Sequence, residues 1–202
     1  MKLSTFAIAT AFCALLGTHA ALADPSQDWA ACNGSVADGF SLDQQVAGCT
    51  ARIESGQEST HDTAVAYYNR GYTYQDMKKF DLALADYTQA IALRPDYADA
   101  YGNRSVVYTD MGQYRNAIDD CNRAMAVRPD HPSDYYNRGR TYKLMGDFHR
   151  AIADEDTAIR LNPEYSDSYR VRGGAKRKLG DTAGADADYA TADAIDKAKG
   201  AK

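Results

Sequence analysis

Positive charge is the scarcer sign in this chain: 23 lysines and arginines stand against 28 aspartates and glutamates, for a formal net charge of -5. That excludes the broad basic face on which a nucleic-acid binder relies, so no nucleic-acid partner is expected and any basic site must be local. Cysteine and proline are few, at 4 and 5 residues. There is no Cys-x-x-Cys, no phosphate-cradling glycine loop and no Gly-x-Ser-x-Gly, and His61, His131 and His149 lack the spacing of metal ligands. No cofactor, metal or catalytic constellation is therefore expected, and the histidines read as solvated side chains. Asp154, Glu155 and Asp156 are adjacent acids, but consecutive helical residues point in different directions and cannot share one site. Long apolar runs are also missing after residue 23, which excludes stable membrane insertion of the mature chain.

The one apolar run, Phe6 to Leu16 behind Lys2, is too short to span a bilayer and ends in the small-residue exit Ala21-Leu22-Ala23. It reads as a signal peptide over residues 1–23, cleaved near Ala23, and places the product in the periplasm or outside the cell. Cys13 lies inside this run. In an oxidising compartment Cys32 and Cys49 form a disulfide; two small unpaired core residues is the other reading. Ser26 opens a short helix carrying Trp29 and Cys32 that breaks at Asn33-Gly34, and the Ser41/Gln44 capping box opens a second helix through Ile53. Segment 24–63 is thus a helical cap held by a staple worth ~3 kcal/mol in the chain-entropy model.

From Ala64 the chain divides without gaps into four blocks of 34 residues: 64–97, 98–131, 132–165 and 166–199. Each reads as helix, turn, helix. Block positions 4, 8 and 11, one helical face, carry Tyr67, Gly71, Tyr74; Tyr101, Ser105, Tyr108; Tyr135, Gly139, Tyr142; and Tyr169, Gly173, Lys176. A mid-helix glycine costs about 1 kcal/mol, so position 8 is small for close packing. Turns fall near Lys78, Gly112, Gly146 and Gly180, and Pro95, Pro129 and Pro163 end the first three units.

These positions resemble the tetratricopeptide repeat (TPR) in period and register. The resemblance implies an all-α, right-handed α-solenoid of four helix-turn-helix repeats behind the stapled cap, with block four, polar in its second helix, as the C-terminal cap. It further implies a non-enzymatic adaptor whose concave groove is lined by block positions 2, 5, 9, 12 and 13. Those are Val65, Tyr68, Tyr72, Gln75 and Asp76; Asp99, Gly102, Val106, Thr109 and Asp110; Ser133, Tyr136, Arg140, Lys143 and Leu144; Asp167, Arg170, Gly174, Arg177 and Lys178. The groove then runs from aromatic and acidic to basic, with a pocket at Gly102, and suits an extended peptide with an acidic or C-terminal carboxylate segment. Solvated surface charge is the plainer reading of the same residues. Asn103 matches one position of the family's five-residue carboxylate clamp, but Tyr68, Tyr72, Ser133 and Asn137 replace its other members, so that clamp is not expected. Carbohydrate stacking on Tyr68, Tyr72 and Tyr136 is the alternative function.

Position 7, usually apolar in this family, is Arg70, Arg104, Arg138 and Arg172, while position 23 is Asp86, Asp120, Asp154 and Asp188. Paired within each block, they would fix helix register bidentately; a ligand-binding arginine row is the competing reading. Cys121 reads as a small core residue, and Glu155 falls where the family prefers a bulky apolar side chain.

Overall fold

The computed structural model describes residues 25–200, which form ten α-helices and one 3-10 turn. The expected leader, residues 1–23 with Cys13, lies outside the described residues. Helix α1 spans Pro25–Asn33 and α2 Leu42–Ser55; the four blocks supply α3 (Thr60–Asp76) and α4 (Phe80–Leu93), α5 (Ala98–Asp110) and α6 (Tyr114–Val127), α7 (Pro132–Met145) and α8 (Phe148–Leu161), and α9 (Ser166–Lys178) and α10 (Thr182–Gly200). The 3-10 turn at Val36–Asp38 was not read from the sequence; Asp38 Oδ2 accepts from both the amide and the hydroxyl of Ser35 ahead of it. Ser26, expected to open α1, lies within that helix, which is described from Pro25. Ser41 does cap α2, its Oγ accepting from the Gln44 amide while Gln44 Oε1 accepts from the Ser41 amide. Ser59, accepting from the Asp62 amide, starts α3 at Thr60, ahead of the block register.

Inside each repeat the chain reverses through a residue in the left-handed region: Lys78 at φ 59°, then Gly112, Gly146 and Gly180 at 73°, 83° and 90°. Lysine lacks glycine's freedom there, so the first turn alone is strained. Helices α4, α6 and α8 each stop after 14 residues, whereas α10, with Lys197 where the others meet proline, runs for 19.

Successive helices pack in order, and first helices also touch first helices: α3 meets α5, α5 meets α7 and α7 meets α9, with no comparable contact among α4, α6, α8 and α10. The first helices therefore form the tighter, inner wall of a curved stack. Helices α1 and α2 join this pattern, since α1 touches α3 across α2, so the cap is a shortened repeat. Its two helices are locked by the Cys32–Cys49 disulfide, which packs on Ala66 with Trp29 and Ile53.

Two columns of alanine, Ala83, Ala117, Ala151 and Ala185 with Ala90, Ala124, Ala158 and Ala192, have no exposed surface at all. Position 8 is matched to position 24 of its own block. A Cβ on Gly71 would lie 3.0 Å from the Tyr87 ring, on Gly139 2.4 Å from Glu155 Oε1, and on Gly173 3.3 Å from the Tyr189 ring. Only block two, where position 24 is Cys121, accommodates a side chain, Ser105.

Candidate interaction groove

The four arginines at position 7 each hold the aspartate at position 23 through two hydrogen bonds, from Nε and Nη2. All eight lie between 2.6 and 3.0 Å. The third nitrogen, Nη1, reaches backward to the preceding second helix: Arg70 to Thr50, Arg104 to Thr88, Arg138 to Asn122 and Arg172 to Asp156. Thr50 belongs to α2, so the cap is stitched like a repeat. Tyrosines at positions 4 and 11 flank the guanidinium, as Tyr101 and Tyr108 do at 5.7 and 5.8 Å from Arg104. Burial pushes the Asp120 carboxyl up despite Arg104, whereas Asp188, also desolvated, is held below its ordinary value because Lys176 joins Arg172 on it at 2.9 Å. Lys176 thus replaces a ring on the guanidinium with a second cation on its partner. All arginines of this row are satisfied within the fold, half a helical turn from the groove positions.

Along the inner wall the three junctions between repeats differ. At the first, Tyr68 stacks on Tyr97 at 5.0 Å and on Tyr87 at 5.9 Å, and Asn103 Nδ2 donates to its hydroxyl at 3.0 Å. Burial raises both Tyr68 and Tyr97, the latter to about 12. Gln75 accepts from the Tyr87 hydroxyl at 2.8 Å, Tyr72 is 48 % exposed, and Asp76 is exposed.

At the second junction the expected hollow at Gly102 is filled. Arg128, entering from the end of α6, forks onto buried Asp134 at 2.8 and 3.0 Å and also binds Asp99. A Cβ on Gly102 would lie 3.5 Å from its Nη2. Thr109 is likewise not a groove residue: it is buried, 2.8 Å from Thr141. Val106 is half-buried on the same helix.

At the third junction Tyr136 stacks on Tyr165 at 5.2 Å, and burial takes Tyr136 to about 12. Beneath them lies Glu155, with no exposed surface and no hydrogen-bond partner for either oxygen. Burial pushes its carboxyl up to about 9, so it is neutral at pH 7. The three adjacent acids do diverge, Asp154 to Arg138, Asp156 to Arg172 and Glu155 inward. Cys121 is also buried, and its thiol is pushed up to about 12, which removes thiolate reactivity.

The expected gradient toward free positive charge is largely cancelled. Arg140 binds Asp110 at 2.7 Å, Arg170 binds Asp193 and Asp196 at 2.8 Å, and Arg177 binds Asp186. Lys143 is half-buried and makes no ion pair among the described residues. Among the described residues no acid, histidine or cysteine cluster is arranged to hold a metal ion, and no helix is long and apolar enough to cross a membrane. Arg128, Asp134, Tyr97 and Tyr165 shape the groove but were not singled out in the sequence. For Arg128, Tyr97 and Tyr165 the available signal was recurrence near block ends, with Arg94 and Arg128 at position 31 and Tyr97 and Tyr165 at position 34; Asp134, at position 3 of the third block, recurs nowhere.

No curated protein sequence matches the chain. Solved structures share its fold at low identity. A MamA crystal structure superposes with a TM-score of 0.69 at 20 % identity, covering 83 % of this chain and 94 % of that one. MamA from Desulfovibrio magneticus RS-1 gives 0.68 at 16 % identity, over 78 % and 86 %. The TPR domain of Arabidopsis OM64 gives 0.57 at 22 % identity, over 59 % and 98 %. Tetratricopeptide repeat profiles match residues 64–97 and 106–176, together just over half of the sequence. With stacked helix-turn-helix units, alanine columns and an inner wall of first helices already described, the chain belongs to the tetratricopeptide repeat family, whose members are typically non-catalytic interaction scaffolds.

Proposed function

We propose that this protein is an adaptor that holds an extended segment of a partner protein in its inner groove, and that it works after export, in the periplasm or outside the cell. The observation that carries the groove reading is the pair of tyrosine stacks, Tyr68 with Tyr97 and Tyr136 with Tyr165, on one wall of adjoining first helices. Such rings offer rigid contact area at little entropic cost. The Cys32–Cys49 disulfide and the apolar leader support the compartment.

Peptide display selection against the full chain tests the reading. Selected peptides should lose binding to Tyr68→Ser/Tyr136→Ser and keep it with Arg115→Glu on the outer helix α6. Equal loss in both would refute groove binding. Tyr72, with half its surface exposed, favours a second reading as a stacking platform for sugars. A neutral sugar would bind independently of salt, whereas an acidic peptide would be released.

A further inference from the structure

The inner-wall cations differ in whether the fold already neutralises them. Arg140, Arg170 and Arg177 each hold an aspartate, but among the described residues Lys143 and Lys178 form no ion pair. Both line one cavity of about 670 Å³ between the third and fourth repeats, and Leu144, Met145, Phe148 and Tyr189 form much of its remaining wall. Leu144 and Met145 are 48 % and 43 % exposed, an apolar surface that nothing among the described residues covers fully.

Lys143 Nζ sits over Gly174, where an added Cβ would approach it to 3.2 Å and the Tyr189 hydroxyl to 3.6 Å. Burial lowers the ammonium, Glu155 of α8 raises it, and Arg140 on its own helix lowers it. Glu155 is itself fully buried with its carboxyl pushed up by desolvation, and it forms no ion pair with Lys143. A half-buried cation without an ion-pair partner, beside an apolar hollow, is complementary to an external anion carrying an apolar group.

We infer that this cavity receives an apolar side chain of the partner segment while Lys143 and Lys178 hold an adjacent carboxylate. The inference rests on the groove reading above and names the chemistry of the segment: a polypeptide in which leucine-like and acidic residues are neighbours. Arg170, already committed to two aspartates, has no part in it.

Fluorescence anisotropy on the full chain supplies the test, with a labelled, end-blocked octapeptide of alternating leucine and aspartate as probe. Replacing its aspartates by asparagine should weaken binding about tenfold, and Lys143→Gln/Lys178→Gln should cause the same loss without adding to it. Arg170→Gln should leave binding unchanged. The inference is overturned if the asparagine peptide binds equally, if the lysine variant keeps full affinity, or if phosphatidylglycerol vesicles bind through these lysines while the peptide does not. Display-selected peptides that depend on Tyr68 but ignore Lys143 would overturn it and leave the groove reading standing. Selected peptides indifferent to every inner-wall change would remove both.

Discussion

The arginine row and the inner wall occupy opposite faces of the same four helices, yet one repeats without change and the other never does. Each rung is built from arginine, aspartate and a polar acceptor one repeat back. The wall presents tyrosine stacks, then an ionic knot at Arg128, then tyrosines over a buried acid. Residues that set the spacing between units must recur wherever the spacing recurs. Residues that meet a partner need only suit the stretch of partner beside them. The constant face is thus the scaffold and the variable face the reading surface.

The sharpest test of that division is removal of a rung. Arg104→Ala leaves Asp120 buried without a cation and should cost about 3–5 kcal/mol in denaturant unfolding, with Asp120→Ala adding little on top. Additive losses would dissolve the rung as a unit. Arg172→Ala should cost less than Arg104→Ala, since Lys176 still neutralises Asp188; equal losses would deny Lys176 that role. Next in size, Cys32→Ser/Cys49→Ser should lower stability by about 3 kcal/mol, because the disulfide is the covalent tie between α1 and α2.

On the wall, Glu155 gives a pH signature. Its folded pKa near 9 exceeds the ordinary carboxylate value, so its contribution is complete below about pH 4 and is lost as pH rises through 9. Thermal unfolding midpoints of Glu155→Gln should therefore fall less than those of the wild type between pH 5 and 9. Parallel curves would mean that the carboxyl is already charged. The smallest effect belongs to Lys78→Gly, which relieves the one left-handed lysine and should stabilise by about 0.5–1 kcal/mol in the same unfolding assay. No gain would place the strain elsewhere.

The repeat period, the alanine columns, the turns and the position 7 to position 23 correspondence were all legible because each is a fixed offset along one chain. The backward bond from Arg104 to Thr88 is also a fixed offset, repeated from Arg138 to Asn122, but it crosses between units and is seen only once they are stacked. The neutralisation of Arg140 by Asp110 and of Arg170 by Asp193 follows no common spacing, so a list of groove charges overstated the free positive field. Gly102 read as empty space because the side chain that fills it, Arg128, comes from a loop and not from either wall helix. Glu155 stood out as a misfit in the sequence. Its explanation, the missing Cβ of Gly139, needed the packing of α7 on α8.

Every rung clasps the unit behind it and none the unit ahead, and Ala190 stands in α10 where Thr88, Asn122 and Asp156 receive a guanidinium in the earlier blocks. The array accordingly has a polarity like that of a zip fastener. Opening should begin at the carboxy-terminal helix and run toward the cystine, so a tether pulled from that end would shed whole repeats one at a time, in order, with the stapled segment last to yield.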